Sequence, residues 1–203
     1  TATAAAGKYL GFKTIGIIRG EEYKPLNKSL QYAKDCGMEL IYVSRESYKD
    51  KQKCLEVLLL DLDSVFVIPE GGANELAVKG CAEIVDEIDI DFDYICCACG
   101  TGTTIAGIST NLKPHQHAIG FAVLKHDNLL EEITENLFIH NSKLSIQNYS
   151  FGGYAKTTPE LIEFIKEFYQ EHQILLDYVY TGKLMYGIFD LISKNYFPEN
   201  TTI

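Results

Sequence analysis

From residue 13 onward, beginning with "KTIGIIRG", short β-branched runs alternate with longer amphipathic ones. This rhythm is the tightest constraint on the fold. Parallel strands cannot be joined by a hairpin and need a crossover of about a dozen residues or more, usually a helix, so the alternation points to parallel sheets covered by helices. The spacing predicts strands over residues 14–18, 38–43, 64–68, 94–97 and 118–123. Between them, Leu26, Leu30 and Ala33 fall on one helical face, with Pro25 near the first turn and Gly37 just past the end. Leu76, Gly80, Cys81, Ile84, Val85 and Ile88 repeat that spacing. Thr158 is placed to cap a helix begun by Pro159, whose apolar face is Leu161, Ile162, Ile165 and Phe168, and Leu184, Ile188, Leu191 and Ile192 mark the last helix. The opening "TATAAAGKYLG" reads as helix, with Gly7 and Gly11 as possible stops. It begins inside an element and without methionine, as a processed or partial chain does.

"IPEGG" at 68–72 punctuates the rhythm with a proline and paired glycines, which divides the chain into a smaller lobe, 1–70, and a larger one, 71–203. Residues 141–157, "NSKLSIQNYSFGGYAKT", break the rhythm with polar residues, tyrosines and two glycines. Segments of this kind read as loops that carry sites.

Composition narrows the function classes. With 18 lysines and arginines against 28 aspartates and glutamates, the formal charge of -10 repels a nucleic-acid backbone, and no local basic patch offsets it. The apolar run "LEVLLL" is far shorter than the roughly 20 residues that cross a bilayer, so a cytoplasmic protein with neither nucleic-acid nor membrane partners is expected. Six cysteines, at 36, 54, 81, 96, 97 and 99, include one C-x-x-C spacing (96 and 99) but no second pair and no nearby histidine, and read as free buried thiols and not as a metal site. Cys97 and Cys99 would share one face of a strand and Cys96 the other.

The segment "ICCACGTGTTIAGI", residues 95–108, puts a glycine-threonine loop between a strand and a helix. In open α/β sheets ligands bind at the carboxyl ends of strands, which is where this loop falls. Gly100 and Gly102 let backbone amides approach an anion, Thr101, Thr103 and Thr104 add hydroxyl donors, and the helix that follows points its positive end at the same place. A plain tight turn is the simpler reading. For a phosphate, no G-K-[ST] follows, which removes the nucleotide-triphosphate loop. The dinucleotide pattern meets Ile105 where its third glycine belongs, and strand 118–123 leads to Leu124 and Lys125 where its acidic residue is expected. A smaller phosphate ester remains.

Four stretches, "IPEGGANELAVKGCAEI", "CACGTGTTIAGI", "FGGYAKTTPE" and "DYVYTGKLMYGIFDLI", occur in an order that resembles the pyridoxal-phosphate enzymes of the 1-aminocyclopropane-1-carboxylate deaminase and D-cysteine desulfhydrase family. The resemblance covers nearly the whole chain. It implies a two-lobed α/β fold with mostly parallel sheets and helices on both faces, like the tryptophan synthase β subunit and other fold type II enzymes. It also implies a homodimer, a small amino-acid substrate and pyridoxal 5'-phosphate as cofactor, bound in the cleft between lobes. By position, Gly100, Thr101, Gly102, Thr103 and Thr104 would hold the cofactor phosphate. Tyr154 and Tyr180 would be the two tyrosines that flank the substrate, and Thr181 would face the pyridine nitrogen. Thr181 is equally suited to cap the helix at Gly182, and Tyr149 and Phe151 read as core.

The family's Schiff-base lysine and its serine-asparagine pair would lie upstream of the opening helix, and Lys8, Lys79, Lys156 and Lys183 do not match the lysine motif. The chain alone is therefore expected not to catalyse. A threonine, not a carboxylate, at 181 favours a weaker electron sink. That suits a thiolate leaving group, so the expected reaction is β-elimination from D-cysteine to pyruvate, ammonia and sulfide, with Tyr154 or Tyr180 assisting proton transfer. Ring opening of 1-aminocyclopropane-1-carboxylate to 2-oxobutyrate is the first alternative. A non-catalytic phosphate-binding fragment is the second, and a dinucleotide-dependent oxidoreductase the weakest.

Overall fold

The structure, a computed structural model, describes residues 1–59, 64–125, 128–137 and 142–203. It divides into two compact units, Thr1–Phe66 and Val67–Ile203.

The first unit opens with α1 (Ala2–Leu10), which Gly11 ends in the left-handed conformation. Gly11 acts as the predicted stop, whereas Gly7 lies inside the helix, where its missing side chain lets Thr14 and the Phe12 carbonyl come close. Strands β1 (Ile15–Arg19) and β2 (Glu39–Val43) pair in parallel, Ile17 opposite Ile41, and α2 (Lys28–Asp35) connects them. Pro25 lies just ahead of α2, whose start is set by the Asn27 side chain, which accepts from the Leu30 amide. Helix α3 (Lys51–Leu59) completes the unit.

The predicted strand at 64–68 is not one: these residues are irregular and exposed. Valine and isoleucine favour a pleated, half-buried surface, and that preference is realised only where a neighbouring strand supplies the ladder. No strand among the described residues pairs with this segment.

The second unit carries α4 (Glu75–Asp86), β3 (Tyr94–Cys99), α5 (Thr103–Thr110), β4 (His117–Ala122), α6 (Leu129–Leu137), β5 (Leu144–Asn148), α7 (Pro159–His172) and α8 (Thr181–Ser193). The three strands pair in parallel in the order β3-β4-β5. β5 corrects the reading of 141–157 as loop throughout. Leu144 and Ile146 point into the core while Ser145 and Gln147 alternate with them, and five residues of such mixed polarity carry little signal.

Helices cover both faces of this sheet. Ala118 and Ala122 of β4 pack with Cys99 and with Ile105 and Ala106 of α5, Leu129 and Ile133 of α6, and Val85 of α4. Ile119 and Phe121, one residue out of phase, pack with Ile188 and Leu191 of α8. The period of two in a strand makes this division. Cys97 falls with the first set and Cys96 with the second. Phe121 and Ile105 are fully buried, each worth roughly 1.5–3 kcal/mol of apolar transfer. The cysteines are all free, Cys99 buried and the others half-buried.

Candidate functional site

The carboxyl ends of β3, β4 and β5 hold nearly every residue the sequence singles out in the second unit. β3 ends at Cys99, and residues 100–102 turn directly into α5, with Gly102 as its N-cap at φ 79°. Only glycine takes this conformation at no steric cost, and a β-carbon there would also collide with the Ile133 side chain. α4 and α7 start differently: the side chains of Asn74 and Thr158 accept from the amides of Ala77 and Leu161. Gly102 has no side chain to offer, which leaves the first-turn amides of α5 to an outside acceptor. The Thr101 and Thr103 hydroxyls lie 3.2 Å apart in the same turn, and Thr104 follows in the helix, exposed. Two glycines, threonine hydroxyls and a helix N-terminus with no side-chain cap fit a phosphate ester.

Tyr180 reaches this turn: a β-carbon placed on Gly100 would lie 3.7 Å from the Tyr180 hydroxyl. Burial, then the Tyr154 phenol and the Asp177 carboxylate, raise the Tyr180 pKa above its ordinary value, so the hydroxyl keeps its proton at neutral pH. Tyr154 itself is 67% exposed, on the turn that follows β5. The structure thus brings Tyr180 to Gly100 and puts Tyr154 on the turn after β5.

Thr181 is the first residue of α8, and Tyr180, not Thr181, takes the N-cap position. The Thr181 hydroxyl is drawn backward instead. It accepts from the Asp177 amide at 2.8 Å and donates to Asp177 Oδ2 at 2.6 Å. Asp177 Oδ1 accepts from the amides of Val179 and Tyr180, each at 2.7 Å. Burial pushes the Asp177 carboxyl up. The Thr181 hydroxyl and the amides of Thr181, Tyr180 and Val179 outweigh it and hold the pKa at about 2. In this ring the Thr181 proton is directed at Asp177; turned toward a ligand, the hydroxyl would donate or accept without carrying a charge. Sequence reading missed Asp177, although an aspartate three residues ahead of a helix cap is a turn-former by its own chemistry.

Lys183, one turn into α8, is fully buried. Its ammonium donates to the carbonyls of Val123, Ser150 and Gly153, whereas Lys8, Lys79 and Lys156 are exposed. Tyr149 is half-buried and donates to Asp190 at 2.5 Å, and Phe151 packs edge-on against Tyr186. A hollow of about 240 Å³ beside Ala122, Leu129 and Asn148 opens at the ends of β4 and β5. Among the described residues, no group of three or more histidines, cysteines or carboxylates could hold a metal ion, and no helix is long and apolar enough to cross a membrane.

A parallel α/β sheet with a glycine-threonine turn and an uncapped helix N-terminus at its carboxyl end defines a class, that of α/β proteins whose geometry suits a ligand at the strand ends. The class narrows to a family. Residues 1–203 match the pyridoxal-phosphate dependent enzymes, and the chain belongs to that family, whose cofactor is pyridoxal phosphate. A Pyrococcus furiosus protein, whose name proposes 1-aminocyclopropane-1-carboxylate deaminase activity, is 34% identical over 97% of this chain and 67% of its own length. The mitochondrial bifunctional D-cysteine desulfhydrase/1-aminocyclopropane-1-carboxylate deaminase of Arabidopsis thaliana is 32% identical over 96% of this chain and 56% of its own. The crystal structure of a 1-aminocyclopropane-1-carboxylate deaminase homologue superposes with a TM-score of 0.74 at 32% identity, over 97% of this chain and 66% of that one. The fold is that of fold type II pyridoxal-phosphate enzymes. The chain spans between just over half and two thirds of the length of these relatives.

Proposed function

We propose that the intact protein is a pyridoxal-phosphate dependent lyase that converts D-cysteine and water to pyruvate, ammonia and hydrogen sulfide. The observation that carries this reading is the neutral hydroxyl at Thr181. A carboxylate at that place would hold a proton on the ring nitrogen firmly and strengthen the electron sink. Here the nearest carboxylate, Asp177, is occupied by three amides and the Thr181 hydroxyl. A weaker sink suffices when a thiolate departs, because its conjugate acid is fairly acidic.

Pyridoxal phosphate, when bound, supplies the electron sink for charge at the substrate α-carbon. The chain's own residues do the rest. The amides of Gly100, Thr101, Gly102, Thr103 and Thr104 would hold the phosphate, and Thr181 would face the ring nitrogen. Tyr180, protonated at neutral pH, would stand as the donor beside the departing sulfur, and Tyr154 would line the substrate on the other side. The intact protein is read as a cytoplasmic homodimer with residues 1–70 and 71–203 in its two lobes.

The names of the relatives favour a second reading, hydrolysis of 1-aminocyclopropane-1-carboxylate to 2-oxobutyrate and ammonia. Incubating the intact, cofactor-loaded protein with each amino acid and measuring sulfide, pyruvate and 2-oxobutyrate separates the two. Sulfide from D-cysteine with little 2-oxobutyrate supports the desulfhydrase. Rapid 2-oxobutyrate formation without sulfide overturns the argument from Thr181.

A further inference from the structure

An ammonium group has three protons to donate, and those of Lys183 go to three backbone carbonyls: Val123 at 3.0 Å, Ser150 at 2.8 Å and Gly153 at 2.8 Å. The side chain is fully buried, and no carboxylate is among these partners. Burial pushes the lysine pKa below its ordinary value. The three carbonyl dipoles act the other way, because only the ammonium has three protons to donate at once and its charge strengthens each bond. The acceptors come from different places: Val123 follows β4, whereas Ser150 and Gly153 belong to the turn after β5 that leads into Tyr154. The lysine stem comes from α8, two residues beyond Thr181. Without the ammonium, three inward-facing carbonyls would remain, an arrangement suited to a desolvated monovalent cation.

We propose that Lys183 is a monovalent cation tethered to the fold: its ammonium fills a three-carbonyl site that could otherwise take a potassium or ammonium ion, and so fixes the Tyr154 turn against the head of α8. Lys183 is on this account a positioning residue. Its importance for the reaction rests on the reading of Tyr154 and Tyr180 given above, but the cation site itself does not.

The test uses the intact protein and needs no turnover, so failure of the desulfhydrase reading leaves it untouched. Lys183→Ala and the wild type are melted in tetramethylammonium chloride, potassium chloride and ammonium chloride at equal ionic strength. The variant is expected to melt on the order of 10 °C lower in the first salt, from orphaned carbonyls, and to recover much of that loss saturably in the other two. The wild type should not distinguish the salts. Trypsin cleavage after Lys156 reads the turn directly: it should be roughly tenfold faster in the variant without potassium and slow again with it. Equal melting of the variant in all three salts would overturn the proposal, as would a variant that folds in none of them, since the free ion should then have rescued it. Nitrogen NMR of the wild-type lysine side chains gives a further check. A slowly exchanging Lys183 ammonium at neutral pH is expected, and a neutral or solvent-exchanging amine would be decisive against it.

Discussion

The Thr181 hydroxyl donates to the Asp177 carboxylate at 2.6 Å and accepts from the Asp177 amide at 2.8 Å, closing a ring ahead of α8. Because this ring holds the folded-state pKa of Asp177 at about 2, below the ordinary value of 3.8, the carboxylate contributes stability while it is ionised. The contribution is fully present above about pH 4 and is lost as the pH falls through about 2. Asp177→Asn should therefore lower stability at neutral pH and flatten the acid limb between those values. Acid unfolding followed by circular dichroism checks this, and superimposable limbs for the two proteins would remove Asp177 from the account. Asp177 is exposed, so the change is a modest one.

Gly102→Ala should destabilise by about 1–3 kcal/mol, from a positive φ and from overlap with Ile133. Urea unfolding measures it. The two causes separate in a cycle with Ile133→Ala: if overlap matters, the double variant loses less than the sum of the single ones. Strict additivity would leave only the backbone conformation.

Tyr180→Phe should lower kcat by roughly a hundredfold while the cofactor absorption spectrum is kept, as removal of a general acid does. Steady-state kinetics on the intact enzyme decide it. A kcat within about twofold of wild type would leave Tyr180 a packing residue.

Burial, then the neighbouring Cys97, pushes the Cys96 thiol up to about 12. Cys97 is raised by burial and by Cys81, and Cys99 by burial and by Cys97. Since the thiolate is the reactive form, these three should resist iodoacetamide at pH 8 in the native protein and react only after denaturation. Mass spectrometry of labelled peptides reads the result, and rapid native labelling of Cys96 would contradict the burial argument.

What was legible in the sequence was what local chemistry dictates. Thr158 before Pro159 announces α7 because both act within one turn, and the structure has the cap at that residue. The glycine-threonine turn was legible for the same reason. β5 was not, since its alternation is short and mixed, and 64–68 misled because strand preference needs a partner that no single segment can reveal. Lys183 was the hardest to read. Its acceptors lie 30 to 60 positions away along the chain, so a lysine that looks like any surface charge in the motif proves to be enclosed only once β4, the Tyr154 turn and α8 have met.

β4 has one thin side and one thick side. Ala118, Gly120 and Ala122 face α5, while Ile119 and Phe121 face α8. A β-carbon at Gly120 would come within 2.8 Å of the Cys99 sulfur and 3.5 Å of Ile105, so the thin side works as a spacer of fixed gauge that lets α5 lie close to the strands. Deleting or inserting a single residue in β4 would exchange the two sides and wedge a phenyl ring beneath α5. The whole first turn of that helix would be lifted with it. The placement of the first-turn amides of α5 is in this sense set from beneath the helix, by the smallness of side chains in the neighbouring strand.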